Sequence, residues 1–172
     1  MNAARLHHIN LLAEYNRWMN QQLYAVCSEI PDAERKRDMK AYFRSIHGTF
    51  NHLLLVDRLW MGRLTETPFV IDSLAQELHS DFVQLQLARE QEDLRIARWV
   101  SQLTAAGLDR VVDYISALDR QPRRFRVEDI LLHLYHHQTH HRGQITTLIS
   151  QLGYDFGETG LAFMPGMPKI GE

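Results

Sequence analysis

Five of the ten histidines in this 172-residue chain fall in the segment His133-Leu134-Tyr135-His136-His137-Gln138-Thr139-His140-His141, which runs on into Arg142-Gly143-Gln144. Neutral imidazole is the commonest side-chain ligand for transition metals, and a four-residue spacing sets two imidazoles on one face of a helix. The apolar residues around the cluster recur at helical intervals, so the first chemistry on offer is a metal site inside a helical protein. Interleaving with Leu134 and Tyr135, far from either end, distinguishes the cluster from a purification tag.

Helical angles sort the five, at about 100° per residue. Ile130, Leu131, Leu134, Ile145, Leu148, Ile149 and Leu152 define a core-facing stripe. His137 and His141 project into its edge and middle, whereas His136 and His140 point away. His133 trails His137 by about 40°, the place of an outer ligand or of a group supporting one. A single histidine on an apolar face is ordinarily a core residue bonded to a carbonyl. Two at i and i+4 are better explained by an ion that serves both, because burying two unpaired imidazoles costs about 2 kcal/mol or more.

A third ligand must come from another helix. His52 is the first candidate, on a face shared with Ser45, Gly48, Thr49, Val56 and Leu59. His8, on the apolar stripe of the first helix, is the reserve. His47 shares its angle with Asn51 and Arg58, a strip expected to meet solvent, and His7 and His79 read as surface residues. Three nitrogen ligands leave a coordination position open, as in catalytic sites. An ion held this way either keeps a coordinated thiol deprotonated or lowers the pKa of water, and the residues do not choose between thiol chemistry and hydrolysis. A non-catalytic metal-binding, stress-associated protein on the same frame also stays open. Nitrogen donors suit zinc, nickel, copper or iron.

The elements that must position these groups are helices. His8, Leu11, Leu12, Tyr15, Met19, Leu23, Val26 and Ile30 form one stripe closed by Pro31, which predicts a helix over residues 4–29. A second is predicted over 38–64, apolar around most of its girth. Ser73 with Gln76 resembles a capping box opening a third, which should end near Gly107. Residues 110–126 lose the helical period and suggest a short irregular hairpin around Pro122. The fourth helix should start at Val127, with Glu128 and Asp129 in its first turn, and end at Gly153. Residues 154–172 read as a tail that wraps the bundle or a partner. The expected fold is therefore an all-α four-helix bundle in a single domain, 1–172, with a hairpin connection before the last helix.

Composition narrows the function classes. With 19 basic and 21 acidic residues the net charge is -2, which gives no general attraction to nucleic acid. The basic run from Arg120 to Arg126 reads as a solvated loop. No stretch approaches the roughly 18 apolar residues of a membrane span. One cysteine, Cys27, allows no internal disulfide and reads as a small hydrophobe; with an N-terminal segment unlike a signal peptide, a cytoplasmic location is expected. Glu-x-x-His pairs, His-Glu-x-x-His and Cys-x-x-Cys-His are absent, against a di-iron carboxylate bundle, a zinc protease and an attached haem.

Weaker candidates surround the cluster. Arg142 could orient an anionic substrate or pair with a carboxylate, and Asp129 could support a ligand. Gly143 suggests close approach of a neighbouring helix, since glycine costs about 1 kcal/mol in a helix interior. Tyr15, Asn16 and Trp18 read as packing groups, and Asp57, about 140° around the helix from His52, as structural.

The strings Asn51-His52-Leu-Leu-Leu-Val-Asp57-Arg-Leu-Trp60, His137-Gln-Thr-His-His141-Arg-Gly-Gln144 and Tyr15-Asn16-Arg-Trp18 resemble the DinB family of damage-inducible-type proteins, over residues 5–155. This family is unrelated to the DNA polymerase that shares its name. The resemblance implies a four-helix bundle holding a divalent metal, zinc or nickel foremost and iron or manganese next, on His52, His137 and His141. It further implies a homodimer and, from the wider superfamily, metal-dependent S-transfer from a low-molecular-weight thiol to an electrophilic small molecule. The 111–127 connection lacks the Asp-Gly turn frequent in relatives, which bears on the shape of the site mouth.

Overall fold

The computed structural model describes residues 2–167. It is predominantly helical with a small two-stranded sheet: α1 (Asn2–Ser28), α2 (Asp32–Lys36), α3 (Ile46–Leu64), α4 (Phe82–Ser101), α5 (Ala105–Asp109), β1 (Val111–Ile115), β2 (Pro122–Arg126) and α6 (Val127–Gln151), then a 3₁₀ turn at Leu161–Phe163. The long helices pack in a cycle, α1 against α4 and α6, and α3 against the same two.

Local chemistry sets the boundaries. α1 stops before Pro31, and the buried Arg35 closes its end by donating to Cys27 O in the last turn at 2.8 Å and to Ile30 O just beyond the helix. Ser45 caps α3 by accepting from the Gly48 N–H at 3.0 Å, and Asp81 caps α4 by accepting from Gln84 N–H at 2.9 Å.

Three expectations are corrected. The expected hairpin before the last helix is regular rather than irregular, so the mostly helical fold carries a small antiparallel sheet at residues 111–126, with Val111 opposite Arg126 and Ile115 opposite Pro122. The second helix starts at Ile46 rather than 38, because Lys40 and Arg44 take left-handed backbone conformations (φ 62° and 67°) that break it. The third starts at Phe82, not Ser73, and breaks again after Ser101. Gln76 does face back, but its side chain accepts from Asp72 N–H and makes a turn. Residues 66–81 become an irregular strap over α3, with Leu74 and Leu78 packed into the core.

Two apolar clusters fill the interior, one at the hairpin end around Trp60, Met61, Ile130 and Leu134, the other around Leu23, Phe50, Phe82 and Ile145. Along the helices a belt of buried polar side chains divides them. Asp57 accepts from Arg89 Nη1 at 2.7 Å and from Gln138 Nε2 at 2.5 Å. Arg89 Nη2 lies 3.0 Å from Asp93, which also accepts from Asn20. Arg142 donates to Asn16. Each long helix contributes to the belt, and slipping any one by a turn would strand a buried charge, which costs roughly 3–5 kcal/mol. Arg142 is thus spent inside the bundle and pairs with an amide, not with an anion or carboxylate.

Chain 154–167 wraps back over α1: Gln22 donates to Phe156 O and Glu158 O, and Tyr15 OH to Thr159 O at 2.6 Å. Residues 168–172 of the expected tail lie outside the described residues. No helix among the described residues is long and apolar enough to cross a membrane.

Candidate metal centre

α3 and α6 face each other beside Leu74 of the strap, and there His52, His137 and His141 converge, offering ligand atoms within 4.8 Å of one another. His52 and His141 are buried and His137 half-buried. His52 Nε2 stands 3.2 Å from His137 Nε2.

The outer nitrogens define which ring atoms are free. His52 Nδ1 lies 2.8 Å from Leu74 O, a pure acceptor, so Nδ1 carries the proton and Nε2 keeps its lone pair. His141 Nδ1 likewise meets Gln144 Oε1 at 2.8 Å, and that amide is oriented by its Nε2, 3.3 Å from His140 Nε2. Fixing a histidine through its second nitrogen is the usual support of a metal ligand. His137 Nδ1 is buried with no partner among the described residues.

Phe43 closes one side. Its ring lies against His52 at 3.7 Å between centroids, 18° from parallel, and meets His141 edge-on at 5.5 Å. Two left-handed residues, Lys40 and Arg44, turn the chain so that Phe43 points inward. The opposite side opens past the half-buried His137 toward exposed His133, His136 and His140.

Electrostatics favour neutral rings. Burial, offset in part by the Leu74 carbonyl and reinforced by His141, pushes the His52 pKa down to about 4. Burial and then the neighbouring His141 and His52 take His137 down to about 3. His141 is also lowered, by burial, against the opposing bond from Gln144. Neutral imidazole is the ligating form.

These residues fit a divalent ion. Zinc–nitrogen bonds of roughly 2.0–2.1 Å in a tetrahedral site put two nitrogens about 3.3 Å apart, close to the 3.2 Å between His52 and His137. A direct hydrogen bond between those two rings would satisfy the pair but give His141 no role. An ion engages all three.

The other sequence candidates fall elsewhere. His8 is exposed beside His7 on α1 and cannot be a reserve ligand: Met19, Leu23 and Ile30 of the expected stripe are buried, but toward the N-terminal end the buried face of α1 runs through Ile9, Ala13 and Asn16 instead. His47 is buried rather than solvated: its Nε2 lies 2.9 Å from His79 O, under the strap. Asn51 holds that strap down, accepting from the Leu78 and His79 N–H groups at 2.8 and 2.9 Å. His79 is correspondingly half-buried, with its Nε2 unpartnered among the described residues. His133 stands 6.1 Å from His137 between ring centroids, outside the converging trio. Asp129 bonds Arg126 at 3.0 Å rather than a histidine. Burial pushes the Cys27 thiol up to about 12, consistent with a small hydrophobe.

Sequence reasoning missed Phe43, Leu74 and the outer contact of Gln144. Only Gln144 left a signal, three residues beyond His141 and hence beside it on a helix.

Comparison with known proteins points the same way. Residues 1–165 match the model of the DinB family. The chain is 26% identical to Protein DinB of Bacillus subtilis (strain 168) over 173 aligned positions, spanning 92% of this chain and 94% of that one. In fold it is similar to the crystal structure of a DinB-like protein from Bacillus cereus ATCC 10987, with a TM-score of 0.61 at 14% identity, over 82% of this chain and 90% of the other. With the family match covering nearly the whole chain and a trio of histidines brought together between α3 and α6, this protein belongs to the DinB family.

Proposed function

We propose that the protein is a divalent-metal-dependent enzyme of thiol S-transferase type, with His52, His137 and His141 as ligands and zinc or nickel, then iron or manganese, as the ion. One observation carries the reading: three neutral imidazoles with ligand atoms within 4.8 Å, two of them oriented through their outer nitrogens by Leu74 and Gln144. A bound ion would supply the Lewis acidity that keeps a low-molecular-weight thiol as thiolate at neutral pH. The protein does the rest. The Leu74 carbonyl and the Gln144 amide hold the Nε2 lone pairs inward, Phe43 excludes water on one flank, and the face past His137 admits thiol and electrophile.

The frame of this reading is a four-helix bundle of α1, α3, α4 and α6, supported by their cyclic packing, with the hairpin as an addition. The reading also takes the protein as a cytoplasmic homodimer with no nucleic-acid or membrane partner, on the strength of family resemblance and balanced charge.

The test is a conjugation assay with protein loaded separately with zinc, nickel, iron and manganese, a panel of low-molecular-weight thiols and a fluorogenic electrophile. The expected result is metal-dependent turnover that chelation and His52→Ala both abolish. Fully metallated protein that turns over no pair would contradict transferase chemistry.

A further inference from the structure

Beside the histidine trio lies a separate cavity of about 310 Å³ between the end of α3, the hairpin and α6, walled by Trp60, Tyr114, Phe125, Asp129, Ile130 and His133. Its aromatic rings are set at angles that line a slot. Trp60 meets Tyr114 edge-on at 5.1 Å and His133 edge-on at 5.2 Å, and Tyr114 lies 6.4 Å from Phe125. His133 is a wall of this cavity and also the next ring to His137, 6.1 Å away. The cavity therefore adjoins the open side of the trio.

Its chemistry selects a ligand class. An aromatic-walled slot beside a carboxylate suggests a cage for an organic cation. Here both attractions are already used. The Arg63 guanidinium sits over Trp60 at 4.5 Å and over Tyr114 at 4.1 Å, and Arg126 holds Asp129 at 3.0 and 3.2 Å. A second cation would meet these two arginines. A neutral aromatic ring would instead find ring faces and edges at stacking distance. Size sets the scale: an apolar cavity of roughly 150 Å³ holds a benzene, so this one suits a two-ring aromatic or an aryl group with a short chain.

We infer that this cavity binds the uncharged aromatic portion of the electrophilic substrate and directs its reactive end past His133 toward the histidine trio. The assignment to substrate rests on the function proposed above, whereas aromatic binding does not.

The test uses 6-fluoro-2-naphthol as a neutral probe and phenyltrimethylammonium as its cationic counterpart, on intact protein carrying zinc or paramagnetic cobalt. Phe125→Ala removes a wall and His133→Trp fills the slot; both residues are exposed, so the helices persist. Phe163→Ala, an exposed aromatic elsewhere, is the control. The expected result is saturable naphthol binding, weakened about fivefold or more in the two cavity variants but not in the control, with the cation bound about tenfold more weakly. The fluorine resonance should broaden more with cobalt than with zinc. Absence of saturable binding, equal binding by the cavity variants, or equal affinity for the cation would overturn the pocket. Binding without extra broadening on cobalt-loaded protein would overturn its link to the trio. Failure to take up either metal would instead overturn the proposed function, and the variants would still decide the pocket.

Discussion

Phe43 and His52 lie face to face, 3.7 Å between ring centroids, and the contact depends on a glycine one helical turn before the histidine. A Cβ on Gly48 would come within 2.2 Å of the Phe43 carbonyl oxygen, so the inward position of Phe43 requires the bare backbone at 48. Gly143, in contrast, has nothing within 4 Å of where its Cβ would be, which removes the expected close approach of a neighbouring helix.

The two glycines should therefore respond in opposite ways to alanine. Gly48→Ala should cost about 1–3 kcal/mol in urea unfolding as the 37–45 turn is displaced, and it should weaken metal binding by freeing the His52 ring. Gly143→Ala, at an open helical position, should be neutral or stabilising by up to about 1 kcal/mol. Equal effects would show that Phe43 is not held as described.

Gln144 supports His141 through the 2.8 Å contact to Nδ1. Losing such a support typically lowers metal affinity about 10–100-fold. Gln144→Leu should show a drop of that order in competition with a chromophoric chelator, and Gln144→Glu, which keeps an acceptor, should recover it. Unchanged affinity in Gln144→Leu would mean that the amide does not position the ring.

Acid should destabilise the metal-free protein through the same rings. The folded pKa values of His52 and His137 are lowered from 6.5, to about 4 and about 3, so the unfolded chain binds more protons below 6.5. The stability they confer is complete above 6.5 and is lost as pH falls toward those values. Asp57, raised by burial to about 7, works in the opposite sense, favouring the folded state as pH falls below 7. Comparing chelator-treated parent with the His52→Leu/His137→Leu variant cancels that term. Between pH 7 and 5 the parent should lose more stability in urea than the variant. Parallel losses would contradict the neutral, buried state of the two rings.

Much of the site was readable in the chain because a helix converts spacing into direction: His137 and His141 share a face of α6, and His52 shares one with small residues of α3. The hairpin, too, was signalled by loss of period around Pro122. What local pattern could not convey was long-range. The strap 66–81 buries His47 and Asn51, so a strip that is polar by composition lies under a loop rather than in water. Ser73 and Gln76 have capping-box spacing, but Leu74 and Leu78 pack into the core as parts of a turn. Arg89 and Asp93 sit one turn apart, as in an ordinary surface ion pair. They are buried because Asp57, from another helix, completes them.

The central claim is that three histidines hold one divalent ion, and elemental analysis of tag-free protein prepared without chelators tests it most directly, with a His137→Ala/His141→Ala variant alongside. The account predicts about one equivalent of metal in the parent and none in the variant, with both remaining helical by circular dichroism. A parent that binds no metal on titration with zinc or nickel, or a variant that retains a full equivalent, would contradict it.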